Sequence, residues 1–165
     1  MRLFPALEPF GELAMDWLGP LTTSRGGHKH VLVIFDLFTK LTRAIPLRDA
    51  TALTVWPPLI DTWVASYGIR DSVLTENGPQ SASDNYQGIL GLLSRASNDT
   101  SPYHPENSGH VERYDCGLMR QLQCYVGEHQ TDWDSHLSVP TVAYNTQVHA
   151  STAEMWSGQY SGWVR

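Results

Sequence analysis

The sequence predicts a mixed α/β domain in which helices flank a sheet. Three observations carry this. Val31, Leu32, Val33, Ile34 and Phe35 form an uninterrupted apolar run rich in β-branched residues, as a strand covered on both faces requires. From Trp56 onward Leu59, Ile60, Trp63, Val64 and Tyr67 recur at helical spacing, and Val111, Tyr114, Leu118, Leu122, Tyr125 and Val126 mark the buried stripe of a longer helix.

In chain order, residues 1–12 hold Pro5, Pro9 and Gly11 and read as an extended lead-in to a domain over 13–150, with 151–165 as a C-terminal tail. Residues 13–18 are a short apolar strand around Asp16, and Thr22 to Gly27 supply turn chemistry, so the first two strands form a hairpin. His28 and His30 follow the glycines of that turn without cysteine partners and read as a solvated hairpin rather than a zinc site. Residues 41–47 supply a third strand. A helix then ends at Gly68, and it is expected to begin at or after Pro57, because Pro57 and Pro58 remove two donors and push Trp56 out of the α region. Residues 71–75 give a fourth short strand, 83–93 a second helix, and 94–108 a polar loop before the long helix that Glu112 opens. A last helix spans 133–146, with Pro140 as its break point.

Composition narrows the function classes. The chain has 165 residues, 41% of them hydrophobic, which suits one globular domain. No apolar stretch approaches the roughly 18 residues of a membrane span, so no membrane partner is expected. Two cysteines, Cys116 and Cys124, give neither a disulfide framework nor a cysteine zinc site, which fits a reducing compartment. The net charge is −6: residues 1–48 hold six bases and four acids, and residues 49–165 hold five and thirteen. Such a balance argues against tight autonomous DNA binding and asks what the carboxylates do.

Three acids stand at element positions from which they can converge: Asp16 in the first strand, Glu76 directly after the fourth, and Glu112 on the long helix. A cluster of this kind cannot stay ionised without a cation, and an oxygen-only donor set suits Mg²⁺. Spacing alone leaves open the plainer reading, in which acids near strand ends make surface or capping contacts.

Four segments add a resemblance. Met15-Asp16-Trp17-Leu18-Gly19-Pro20-Leu21, Val31 through Phe35-Asp36-Leu37-Phe38-Thr39-Lys40, Leu74-Thr75-Glu76-Asn77-Gly78-Pro79-Gln80, and Tyr103-His104-Pro105 through Gly109-His110-Val111-Glu112-Arg113 occur in that order. Together they resemble the integrase catalytic core of gypsy-type LTR retrotransposons, within the retroviral integrase superfamily. The resemblance implies a ribonuclease-H-like fold with a five-stranded mixed sheet whose first three strands are antiparallel. It also implies catalytic acids that hold two Mg²⁺ or Mn²⁺ ions, carried onto Asp16, Glu76 and Glu112; the last two are separated by thirty-five residues, as in the family. The implied function is metal-dependent polynucleotidyl transfer, the 3′-end processing and strand transfer of DNA integration. Gln80, Tyr103, His104, Asn107 and Ser108 would contact DNA, the partners would be retroelement ends, target DNA and further copies of the chain, and the site of action would be the nucleus after a cytoplasmic stage.

The chain also departs from the pattern. Glu76 stands where the family has Asp, Ser81 where an aromatic is favoured, and Asp115, Cys116 and Gly117 where Asn, Arg and Thr are usual. One extra methylene displaces a carboxylate by roughly 1.5 Å, a large error for octahedral Mg²⁺. Cys116 and Met119 share the helix face of Glu112 and are expected to pack beside the site. The departures favour an alternative from another class, a catalytically degenerate integrase-fold remnant that serves as a nucleic-acid-binding, protein-binding or dimerisation module. A ribonuclease H of the same fold fits the spacing and the Tyr103-His104-Pro105 loop less well.

Overall fold

The computed structural model describes residues 9–68, 72–75, 105–126, 128 and 130–148. Strands β1 (Glu12–Leu18), β2 (His30–Asp36) and β3 (Thr42–Leu47) form an antiparallel meander, and β4 (Ser72–Thr75) joins the other side of β1 in parallel, giving the order β3-β2-β1-β4. The described sheet is therefore mixed and four-stranded. A fifth strand and the helix expected over 83–93 lie outside the described residues.

Side-chain alternation along β2 sends Leu32 and Ile34 to one face and Val31, Val33 and Phe35 to the other, all fully buried. The first face meets Leu13, Met15, Val55, Leu59 and Trp63 in the largest apolar cluster. Phe10 belongs to that cluster too, its ring stacked 4.6 Å from Tyr67. The second face meets Tyr114, Leu118, Leu122, Trp133 and Leu137.

The helical stretch after β3 starts earlier than the prolines suggest. Helix α1 (Ala52–Leu59) contains Pro57 and Pro58, and it continues as a π-helical segment (Ile60–Val64) and a closing α turn (Ala65–Tyr67). The expected start at Pro57 is corrected by two forces. Asp49 Oδ1 accepts the Thr51 N–H at 3.0 Å and the hydroxyls of Thr51 and Thr54 at 2.6 and 2.7 Å, which places a carboxylate at the helix N-terminus. Val55, Leu59, Trp63 and Tyr67 are buried four residues apart. At about 1.5–3 kcal/mol each, their burial matches or exceeds the roughly 3 kcal/mol of each interior proline. After the prolines the chain passes into the wider π register, where the Ala65 N–H reaches the Ile60 carbonyl five residues back. Gly68, at φ 82°, ends the stretch.

The long helix α2 (Pro105–Tyr125) also starts earlier than expected. Residues 105–108, read as loop, are helical, because a proline at the first helical position gives up only a donor that would lack an intrahelical acceptor anyway. The last helix is broken at Leu137 rather than at Pro140, into α3 (Trp133–His136) and α4 (Ser138–Asn145). Pro140 sits in the first turn of α4, where it costs little. Asn145 then fastens α4 to the edge of the sheet: its Oδ1 accepts the Thr42 N–H and its Nδ2 donates to the Thr42 carbonyl, both at 2.9 Å.

Candidate functional site

Asp16 is the second of the two carboxylates on β1, and alternation places it with Ala14 and Leu18 on the face that α2 covers. Its cross-strand partner is Val33, which packs with Tyr114 of α2. The Asp16 side chain is half-buried, and its Oδ1 accepts the Trp17 N–H at 2.7 Å. Among the described residues it makes no ion pair, the two pairs there being His28 with Asp134 and His136 with Asp132.

The other two acids are placed only through their backbone neighbours. Thr75, which precedes Glu76 in sequence, pairs with Met15, which precedes Asp16. Glu76 itself lies outside the described residues, as do Gln80, Tyr103 and His104. Glu112 is in the third turn of α2 rather than at its start, and Asn107 and Ser108 are in its first turn rather than in a loop. Their backbones are described and their side chains are not. The helix that carries Glu112 packs against β1 and β2 through Tyr114, Leu118 and Leu122.

This face differs from the other in its buried polar groups. Asp115 is 7% exposed on the inner stripe of α2, beside Tyr114. The Tyr114 hydroxyl lies 3.3 Å from Thr141 Oγ1, and its ring meets Tyr144 edge-on at 4.6 Å. Burial raises the pKa of the Tyr114 phenol far above the usual range and pushes that of Tyr144 up to about 12, so both stay neutral hydrogen-bonding groups. Cys116 does not pack beside the site; it is exposed, because the inner stripe runs through positions 114, 115, 118 and 122. Met119 is half-buried and packs against the α2 cluster.

The hairpin between β1 and β2 holds a cluster with no local signature in the sequence. Asp134 Oδ2 accepts hydrogen bonds from Ser24 Oγ at 2.6 Å and from His28 Nδ1 at 2.7 Å, so His28 is anchored and not the solvated residue expected of that turn. Burial alone would raise the Asp134 carboxyl pKa, but the two hydrogen bonds and the adjacent imidazole overcome it and hold the group below the usual carboxylate range. Its partners are more than a hundred residues away in sequence, which is why no spacing rule finds them.

A divalent cation is the group this fold type implies. Carboxylates at Asp16, Glu76 and Glu112 would make an oxygen-only donor set, which suits a hard cation, and Asp16 is half-buried without a basic partner among the described residues. Among the described residues no three metal-ligating side chains come together.

No protein-family model matches the chain. It is 25% identical over 137 residues to a retrovirus-related Pol polyprotein from transposon 412 of Drosophila melanogaster, covering 83% of this chain and 11% of that protein. It is 25% identical over 151 residues to gypsy retrotransposon integrase-like protein 1 of Macaca fascicularis, covering 87% of this chain and 27% of that one. To the Gag-Pol polyprotein of feline leukemia virus it is 30% identical over 122 residues, covering 73% of this chain and 7% of the polyprotein. The chain thus spans between under a tenth and about a quarter of these relatives' lengths. Among solved structures it superposes on the catalytic core domain of BIV integrase with a TM-score of 0.62 at 21% identity, covering 86% of this chain and 87% of that domain. The HTLV-2 integrase catalytic core in complex with magnesium gives a TM-score of 0.65 at 16% identity, covering 91% and 95%. In sequence the chain resembles retroviral and gypsy integrase-like proteins, and its fold is that of the retroviral integrase catalytic cores, of ribonuclease-H-like type.

Proposed function

We propose that this chain is the catalytic core of a retroelement integrase, a polynucleotidyl transferase that trims and joins DNA ends, with Asp16, Glu76 and Glu112 as its catalytic acids. The observation that carries the reading is the shared face: Asp16 lies on the side of the sheet covered by the helix of Glu112, and the strand leading to Glu76 runs beside β1 in register. The three carboxylates would hold two Mg²⁺ or Mn²⁺ ions. When bound, such a pair activates an attacking water or 3′-hydroxyl and stabilises the charge that develops on the leaving oxygen. Gln80, Tyr103, His104, Asn107 and Ser108 would orient the DNA end. The 13–150 span would be the catalytic domain, acting in the nucleus as part of a homo-oligomer. Val139 and Val142, exposed one turn apart on α4, offer apolar surface for association of copies.

A specific observation favours a second reading, that of a non-catalytic remnant. Glu76 replaces the shorter acid, and Gly117 stands inside α2, where glycine costs about 1 kcal/mol relative to alanine. Strand-transfer assays on a short DNA end separate the two. Glu76→Asp is expected to raise activity and to narrow the gap between Mn²⁺ and Mg²⁺, because Mn²⁺ tolerates looser geometry than Mg²⁺. A folded Glu76→Asp protein inactive with both metals would favour the remnant.

A further inference from the structure

The long loop between β1 and β2 is tied to one short segment at the start of α3. The Arg25 N–H donates to the Thr131 carbonyl at 2.7 Å, Trp133 Nε1 donates to the Thr22 carbonyl at 2.7 Å, and Asp134 Oδ2 accepts from Ser24 Oγ and His28 Nδ1. Ser24 Oγ also accepts the His28 N–H at 3.1 Å, so the loop is closed on itself as well as onto α3. Gly26 is an independent sign of close approach: a Cβ there would lie 2.6 Å from Asp134 Oδ2 and 2.8 Å from the His28 ring.

The position of this joint gives it a role. Asp16 lies on β1, six residues before Thr22, and Glu112 lies on α2, seven residues before Met119. Leu21 and Thr22 of the loop, Met119 and Leu122 of α2, Val126 just after it, and Trp133 of α3 line a common open pocket of about 100 Å³. The strand with the first acid and the helix with the third therefore run into the same joint. Because the pocket separates their side chains there, the hydrogen bonds to residues 131–134 are the direct ties between the loop and the start of α3.

We infer that the Ser24–His28–Asp134 clasp, with Gly26 and the Trp133–Thr22 bond, is a positioning brace that sets the separation of β1 and α2, and hence of Asp16 and Glu112. The inference rests on the proposed function only in treating those two acids as one site. Asp134 is a positioning residue that acts through the hairpin.

Hydrogen exchange of the whole chain tests it, with Gly26→Ala, Asp134→Asn and Trp133→Phe as variants and direct Mn²⁺ titration beside it. Asp134→Asn keeps the volume of the side chain should Gly26→Ala fail to fold. The brace predicts that exchange rises by about tenfold or more, the scale of one lost charge-assisted hydrogen bond, at residues 16–18 and along α2. Exchange in β3 and α1 should stay unchanged, and Mn²⁺ affinity should fall. Exchange that rises uniformly through the chain, or not at all at residues 16–18, overturns the brace. Failure of the integrase reading looks different: the unaltered chain would bind no Mn²⁺ in an Asp16-dependent way, and the exchange pattern alone would then decide the brace.

Discussion

The two faces of the sheet are built to different ends. On the α1 face a continuous cluster of apolar side chains, from Phe10 through Met15, Leu32 and Ile34 to Trp63, is packed at near-zero exposure. On the α2 face the apolar contacts fall into two smaller groups, and between and beside them lie the half-buried Asp16 and the buried Asp115, Thr141 and Asn145. Buried polar groups lower stability unless they are hydrogen-bonded, so their concentration on this face, apart from Asp36, Thr39 and Lys40 at the turn between β2 and β3, needs a reason. The α1 face acts as a foundation, and the α2 face uses the rigidity it gains from that foundation to hold polar chemistry.

The comparison is broken most forcefully at Trp63. Trp63→Ala should cost about 3–5 kcal/mol, read as a lower urea midpoint with little change in slope. A loss below about 1 kcal/mol would mean that the α1 face is not the foundation. A smaller effect is expected on the other face. Asn145→Leu leaves both backbone groups of Thr42 unpaired at the sheet edge and should cost about 1–3 kcal/mol, visible as faster exchange of the Thr42 amide.

These two residues also show what could be read from sequence. Trp63 belongs to an apolar repeat with helical period, so its burial was legible, as were the hairpin, the central strand β2 and the long helix. Asn145 is one polar residue near a helix end, and nothing nearby in the sequence reveals a partner 103 residues away. The same holds for Ser24, His28 and Asp134, whose meeting depends on the packed fold rather than on spacing. The prolines misled for another reason. Local rules weigh the two lost donors, whereas the fold weighs them against four buried side chains and an N-terminal carboxylate. Of the candidate site, Asp16 and the helix of Glu112 were legible through the motifs, while the depth of Asp115 and the exposure of Cys116 required the helix to be docked.

A smaller effect concerns pH. Because the Asp134 carboxyl is held below its unfolded value of about 3.9, its contribution is fully present above that pH and is lost as pH falls through the lower folded value. Acid titration of stability should therefore steepen below about pH 4, and Asp134→Asn should flatten that limb. A variant with the same acid limb as the unaltered chain would show that the clasp adds nothing to acid stability.

The central claim is that the polar face carries one shared cation site. Mn²⁺ binding measured by calorimetry on the unaltered chain, Asp16→Asn, Glu112→Gln and the double variant tests it directly. Ligands of one site act as a unit, so their effects are strongly non-additive. Each single change should weaken binding by nearly as much as both together, on the order of tenfold to a hundredfold. Independent losses that simply add, or binding that survives Asp16→Asn, would contradict the account.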